Sequence, residues 1–93
     1  MFVAVCKIHF QTPGCRSLKE KRRIVRSIKD RTRHRFNAAV AEVGLMDRWN
    51  ECELGVACVS NSARHAESMA SKVAEFIEIS FPIIVLKVER ERW

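Results

Sequence analysis

The clearest pattern at the start of the chain is strict alternation. In FVAVCKIHF, residues 2–10, Phe2, Ala4, Cys6, Ile8 and Phe10 fall on one side and Val3, Val5, Lys7 and His9 on the other, which is the period of a half-buried strand. TPG then breaks the run. Ser17, followed three residues later by Glu20, has the form of a capping box, in which hydroxyl and carboxylate each satisfy a free amide at a helix start. The spacing predicts a helix over 18–35, with Leu18, Ile24, Val25, Ile28 and Phe36 on its packing face. FNAAVAEVG (36–44) and ECELGVACVS (51–60) read as two strands of an antiparallel hairpin joined by the polar loop LMDRWN. SNS (60–62) offers N-caps for a second helix over 63–79, in which Ala66, Met69, Ala70, Val73, Phe76 and Ile77 recur at helical spacing. Pro82 closes that segment and IIVLKVERE is a last strand.

The order β-α-β-β-α-β within 93 residues predicts a single α+β domain, 1–93, of the ferredoxin-like kind. Both helices then cover one face of a four-stranded antiparallel sheet. Strand parity leaves Val3, Val5, Lys7, Gly55, Ala57, Val59 and Val85 on the other face. None is aromatic, which argues against the base-stacking mode of an RNA-recognition motif. Val3, Val5, Val59 and Val85 instead form an apolar patch suited to a partner protein, a second copy included, and homodimerisation through that patch is the alternative function expected of the chain.

P-G-x-x-SLKEKR at 13–22, the hairpin FNAAVAEV…DRW, the strand LGVACVSN and the closing VERE make the chain resemble the YlxP-like family of small bacterial proteins along essentially its whole length. The resemblance implies a ferredoxin-like fold, a cytosolic bacterial origin and a link to RNA or ribosomes, within a family defined by a domain of unknown function.

Charge sharpens the picture. The chain carries +6 overall, with 47% hydrophobic and 30% charged residues, a folded composition with a bias toward polyanionic partners. Residues 16–35 hold ten basic side chains against two acidic ones, a local excess of +8, so the remainder sums to −2. Lys19, Arg22, Arg26, Lys29 and Arg33, spaced 3, 4, 3 and 4, share one arc of the first helix away from its packing face, and Arg23 flanks it. The second helix serves as an internal control, because Arg64, Glu67, Lys72, Glu75 and Glu78 mix both signs on its outer face. The expected partner is structured RNA, in the setting of a ribosome or its precursors, bound through phosphates without base readout. Arginine favours this because its planar fork pairs with phosphate in a bidentate way. A membrane surface is not expected, since the apolar face it would need is required for the core. Trp49, beside Arg48 in the hairpin loop, is a candidate base-stacking platform. Lys21, within the apolar arc near the TPGC loop, either snorkels past the sheet end or meets a carboxylate or ligand there, and snorkelling is the expected outcome.

Other chemistries find little support. The chain opens directly on an apolar run without a basic leader, and no run reaches membrane-spanning length, so a cytosolic protein is expected. Ferredoxin-like folds host acylphosphatases, but QTPGCRS offers one glycine and Arg16 without a run of amides able to cradle phosphate, and no nucleophile sits at suggestive spacing from a base. No enzyme activity and no cofactor are expected. His9, His34 and His65 lie on different elements, and Cys52 and Cys58 are about 20 Å apart by strand rise, so no metal site is expected. Of the four cysteines, Cys6, Cys52 and Cys58 read as small buried residues and Cys15 as a loop thiol.

Overall fold

In the computed structural model, which describes residues 1–92, the alternating N-terminal segment is strand β1 (Phe2–Gln11). It is followed by helix α1 (Leu18–Arg35), strands β2 (Ala39–Gly44) and β3 (Glu51–Ser60), helix α2 (Ala63–Ser80) and strand β4 (Ile84–Arg92). The four strands form one antiparallel sheet in the order β2-β3-β1-β4, with both helices on one face, which is the ferredoxin-like α+β arrangement. Among the described residues, no helix is long and apolar enough to cross a membrane.

Alternation dictates the core. Ala4, Cys6, Ile8 and Phe10 of β1 lie beside Cys58, Val56, Leu54 and Cys52 of β3, and all eight are buried. Val25 and Ile28 of α1 and Ala66, Ala70, Val73, Ala74 and Ile77 of α2 close over them. Burying these aliphatic groups at roughly 25 cal/mol per Å² of apolar area is the main force holding helices to sheet. Both helices start at serine caps: Ser17 Oγ accepts from the Glu20 amide at 3.2 Å, and Ser62 Oγ accepts from the His65 amide at 3.3 Å. The Glu20 carboxylate returns to the Arg16 amide, one residue before the cap, so the box closes one position earlier than its simplest form.

Three expectations need correction here. The second strand begins at Ala39 and not at residue 36, because Phe36 is the C-cap of α1 and gives its amide to the Thr32 carbonyl at 2.8 Å. Cys15, set apart by the sequence as a loop thiol, lies in the loop after β1 but is as buried as the other cysteines, 2% accessible, folded inward by a turn in which its amide donates to the Thr12 carbonyl. Val85 does not lie on the open face. Lys87 stands opposite His9 while Val85 stands opposite Phe10, so one extra residue, Leu86, enters β4 as a bulge. That insertion inverts the parity of everything before it, turning Val85 onto the core and giving Ile84 its place beside Gln11.

Candidate nucleic-acid interface

Helix α1 buries Lys21, Val25, Ile28 and Thr32 against the sheet. At 3.6 residues per turn this fixes where every other α1 side chain can point. Lys19, Arg22, Arg23, Arg26 and Arg33 are exposed and Lys29 is half-buried. Four of the predicted stripe, Lys19, Arg22, Arg26 and Lys29, therefore run along a continuous flank, with Arg23 nearer the outer pole. Arg33 belongs to the same flank, but its guanidinium is committed: it donates to the backbone carbonyl of Val40 in β2. That bond locates the stripe beside the β2 edge of the sheet, tilted from the outward pole that the sequence indicated.

What distinguishes this flank is the absence of counter-charge. Among the described residues, Lys21 alone of the ten basic side chains from 16 to 35 lies within ion-pair distance of a carboxylate. Elsewhere, among the described residues, four of the seven other basic side chains are paired: Lys7 meets Glu53 and Glu89, Arg48 meets Glu51, Lys87 meets Glu89 and Arg92 meets Glu67. The exposed face of α2 mixes Arg64, Glu67, Lys72, Glu75 and Glu78, so its fields largely cancel. A row of like charges three and four residues apart costs an isolated helix about 0.2–0.5 kcal/mol per pair. Lys19 adds to that cost at the positive end of the helix dipole, whereas Arg33, His34 and Arg35 in the last turn are favoured there. The packing of the apolar face bears this cost.

Lys21 behaves differently from a snorkelling lysine. Its side chain is 1% exposed, and its Nζ lies 3.0 Å from Glu42 Oε2 and donates to the Leu45 carbonyl at 2.7 Å. Glu42 pairs with Leu54 and so lies on the core-facing side of β2. Cys52 Sγ approaches the same carboxylate at 3.7 Å, and burial together with that charge pushes its thiol up to about 12. Leu45 has φ 59°, a left-handed backbone that costs a leucine of order 1 kcal/mol. Its carbonyl receives both Lys21 and the Arg48 amide, which holds the turn in place. Sequence reasoning missed Glu42, yet the signal was present: an acid in register with Val40 on β2 and a base in register with Val25 on α1 are two opposite charges aimed at one core.

The hairpin loop is held on a second side by Thr12, fully buried at the end of β1. Its Oγ1 donates to the Trp49 carbonyl and its amide to the Asn50 carbonyl, both at 3.0 Å. Trp49 therefore has an anchored backbone while the residue as a whole stays 47% exposed. Its neighbour Arg48 is held at 2.9 Å by Glu51 and adds no free charge.

The open sheet face divides in two. One half is ionic: Lys7 bridges Glu53 and Glu89 at 3.9 and 3.6 Å, and His9 Nε2 is 3.5 Å from Glu51. The other half is apolar, with Val3, Val5, Ala57 and Val59 joined by Ala39, Ala41 and Val43 of β2. Gly55 is required at its centre because a Cβ there would lie 2.9 Å from Val43 Cγ1. Of the predicted patch, Val3, Val5 and Val59 are together on this face and Val85 is not.

Comparison with known proteins finds similarity along most of the chain. The model of the family described as protein of unknown function DUF503 matches residues 3–90. The protein is also similar to "Uncharacterized protein YlxP" of Bacillus subtilis (strain 168), at 38% identity over 77 residues, which cover 83% of this chain and 83% of that protein.

Proposed function

Since the chain belongs to the DUF503 family, whose description names no activity, we propose a role read from its own surface: a cytosolic RNA-binding protein that grips phosphates with helix α1. The observation that carries this is the uncompensated cationic flank: among the described residues, nine of the ten basic side chains from 16 to 35 lack a carboxylate partner. Unpaired arginines beside one another attract phosphate by charge and by their donor forks, and each phosphate neutralised releases counterions. Lys19, Arg22, Arg23, Arg26 and Lys29 supply the main grip, Arg33 a partly committed one, and Trp49 a stacking surface at the anchored loop. The ribosome or a ribosome precursor is the setting this reading favours, because folded RNA presents many phosphates without demanding base readout.

The reading assigns no catalytic step. Burial raises the thiols of Cys6, Cys52 and Cys58, which keeps them protonated and unreactive. The test is filter binding of purified protein to total ribosomal RNA, with Arg22→Glu, Arg23→Glu and Arg26→Glu combined. These side chains are exposed and form no hydrogen bond or ion pair among the described residues, so the variant is expected to remain folded and lose retention. Undiminished retention would remove the proposal.

A second reading rests on the apolar half of the open sheet face, where Val43 and Val59 are about half exposed. There the occupant is a second copy, and multi-angle light scattering of Val5→Glu with Val59→Glu, compared with the parent across concentration, decides it. A parent that is monomeric throughout argues against that interface.

A further inference from the structure

Two arginines of the cationic segment lie outside the flank described so far. Arg31 and Arg35 face α2, where they stand over aromatic rings: Arg31 Cζ is 4.7 Å from the Phe81 centroid and 5.9 Å from that of Phe76, and Arg35 Cζ is 5.1 Å from Phe76 and 5.8 Å from Phe36. The rings brace one another edge to face, Phe36 to Phe76 at 5.5 Å and Phe76 to Phe81 at 5.9 Å. Asp30 lines the same cleft and Glu75 the adjoining one, yet neither forms an ion pair with these arginines. Neither guanidinium donates a hydrogen bond among the described residues. A guanidinium held by its cation–π contact keeps its in-plane donors free, and little side-chain freedom is left to lose on binding.

Arg31 is two residues from Arg33, and at 100° per residue the two lie roughly 160° apart around the helix. α1 thus carries phosphate-seeking groups on both flanks, along the β2 edge and in the α1–α2 cleft, with Arg23 near the ridge between. A single strand follows one flank and leaves the other idle. Two phosphate backbones, one on each side of a low ridge, use both. Resting on the RNA reading above, we infer that α1 lies across the wide, shallow minor groove of double-stranded RNA, holding one strand with Arg22, Arg26 and Lys29 and the other with Arg31 and Arg35. A B-form minor groove is only about 6 Å wide and does not admit a helix about 10 Å across; the B-form major groove, about 12 Å wide, does, and a DNA duplex probe tests that alternative. The A-form groove is wide and open enough to seat it.

The experiment is fluorescence anisotropy at fixed salt with three probes of one sequence: RNA duplex of about 16 base pairs, the matching DNA duplex, and one RNA strand alone. The expected order is RNA duplex above both others. The paired change Arg31→Met and Arg35→Met keeps the apolar stems on the phenylalanines while removing two charges. It is expected to weaken duplex RNA by about tenfold or more, through the loss of two charge-assisted contacts. It should lower the slope of log K against log salt by about 1.8, and leave the single strand unchanged. Circular dichroism melts of the variant confirm that the fold persists. Equal affinity of the parent for duplex and single strand overturns the inference and leaves the phosphate grip standing, as does an equal loss on both probes in the variant. Absence of binding to any probe at low salt overturns both.

Discussion

Removing the carboxylate of Glu42 tests the reasoning about the sheet end most directly. In Glu42→Ala the Lys21 ammonium, at 1% exposure, keeps only the Leu45 carbonyl as a partner. Stripping one member from a buried pair costs about 3–5 kcal/mol, because the remaining charge has neither water nor counter-ion. The reverse change, Lys21→Met, strands a carboxylate whose side chain is 19% exposed and able to turn toward water, so its cost should be smaller, about 1–3 kcal/mol. The double variant has no stranded charge and should cost about as much as Lys21→Met alone, so the coupling between the sites equals the cost of Glu42→Ala, about 3–5 kcal/mol. For a domain of this size about 4 kcal/mol lowers Tm by about 25 °C. Urea unfolding followed by circular dichroism, with m-values compared, measures all three. A cost for Glu42→Ala below about 1 kcal/mol, the range of a surface ion pair, or strictly additive costs, would refute the claim that this pair is desolvated.

Other consequences are equally open to measurement. Val85→Ala should destabilise by about 1–2 kcal/mol and Ile84→Ala by well under 1 kcal/mol in chemical denaturation, and equal costs would argue against the bulge at Leu86. Between pH 9 and 12 the unfolded Cys52 thiol releases a proton that the native thiol keeps, so stability should fall as pH rises, by up to about 1.4 kcal/mol per unit from this group. A Cys52→Ala variant should show that much shallower a slope in denaturation at pH 9.5–11. Ser17→Ala should cost about 1 kcal/mol through loss of the α1 cap, read as a Tm decrease. RNA retention by the parent should fall steeply between low and physiological salt, whereas salt-independent retention would mean that something other than phosphate is gripped.

The fold was legible because its elements are long and their periods unmixed. FVAVCKIHF and ECELGVACVS alternate without a slip, and SLKEKRRIV follows a cap signal, so both middle strand positions and the extent of α1 follow from pattern alone. Val85 was misplaced because a bulge changes parity without changing composition; IIVLKVERE reads the same with or without the extra residue. Lys21 was misread for a different reason: an apolar-arc lysine has two outcomes, and only the opposing strand decides between them. Thr12 and Cys15 lie in a short connection whose inward turn carries no period. The cationic flank itself was visible as residues 19–33, but the sequence does not reveal which cations the fold holds in place. Arg33 turned out to be tied to Val40, and Arg31 and Arg35 to aromatic rings.

The tie between Arg33 and Val40 has one more effect. β2 is an outer strand of the sheet, and the exposed backbone of such a strand is a template onto which a stray chain can add. A charged guanidinium stationed on its carbonyl blunts that invitation, much as a guard rail discourages climbing. Substituting alanine there would bare the rail, so such a protein should cloud sooner on concentration even with its melting temperature intact.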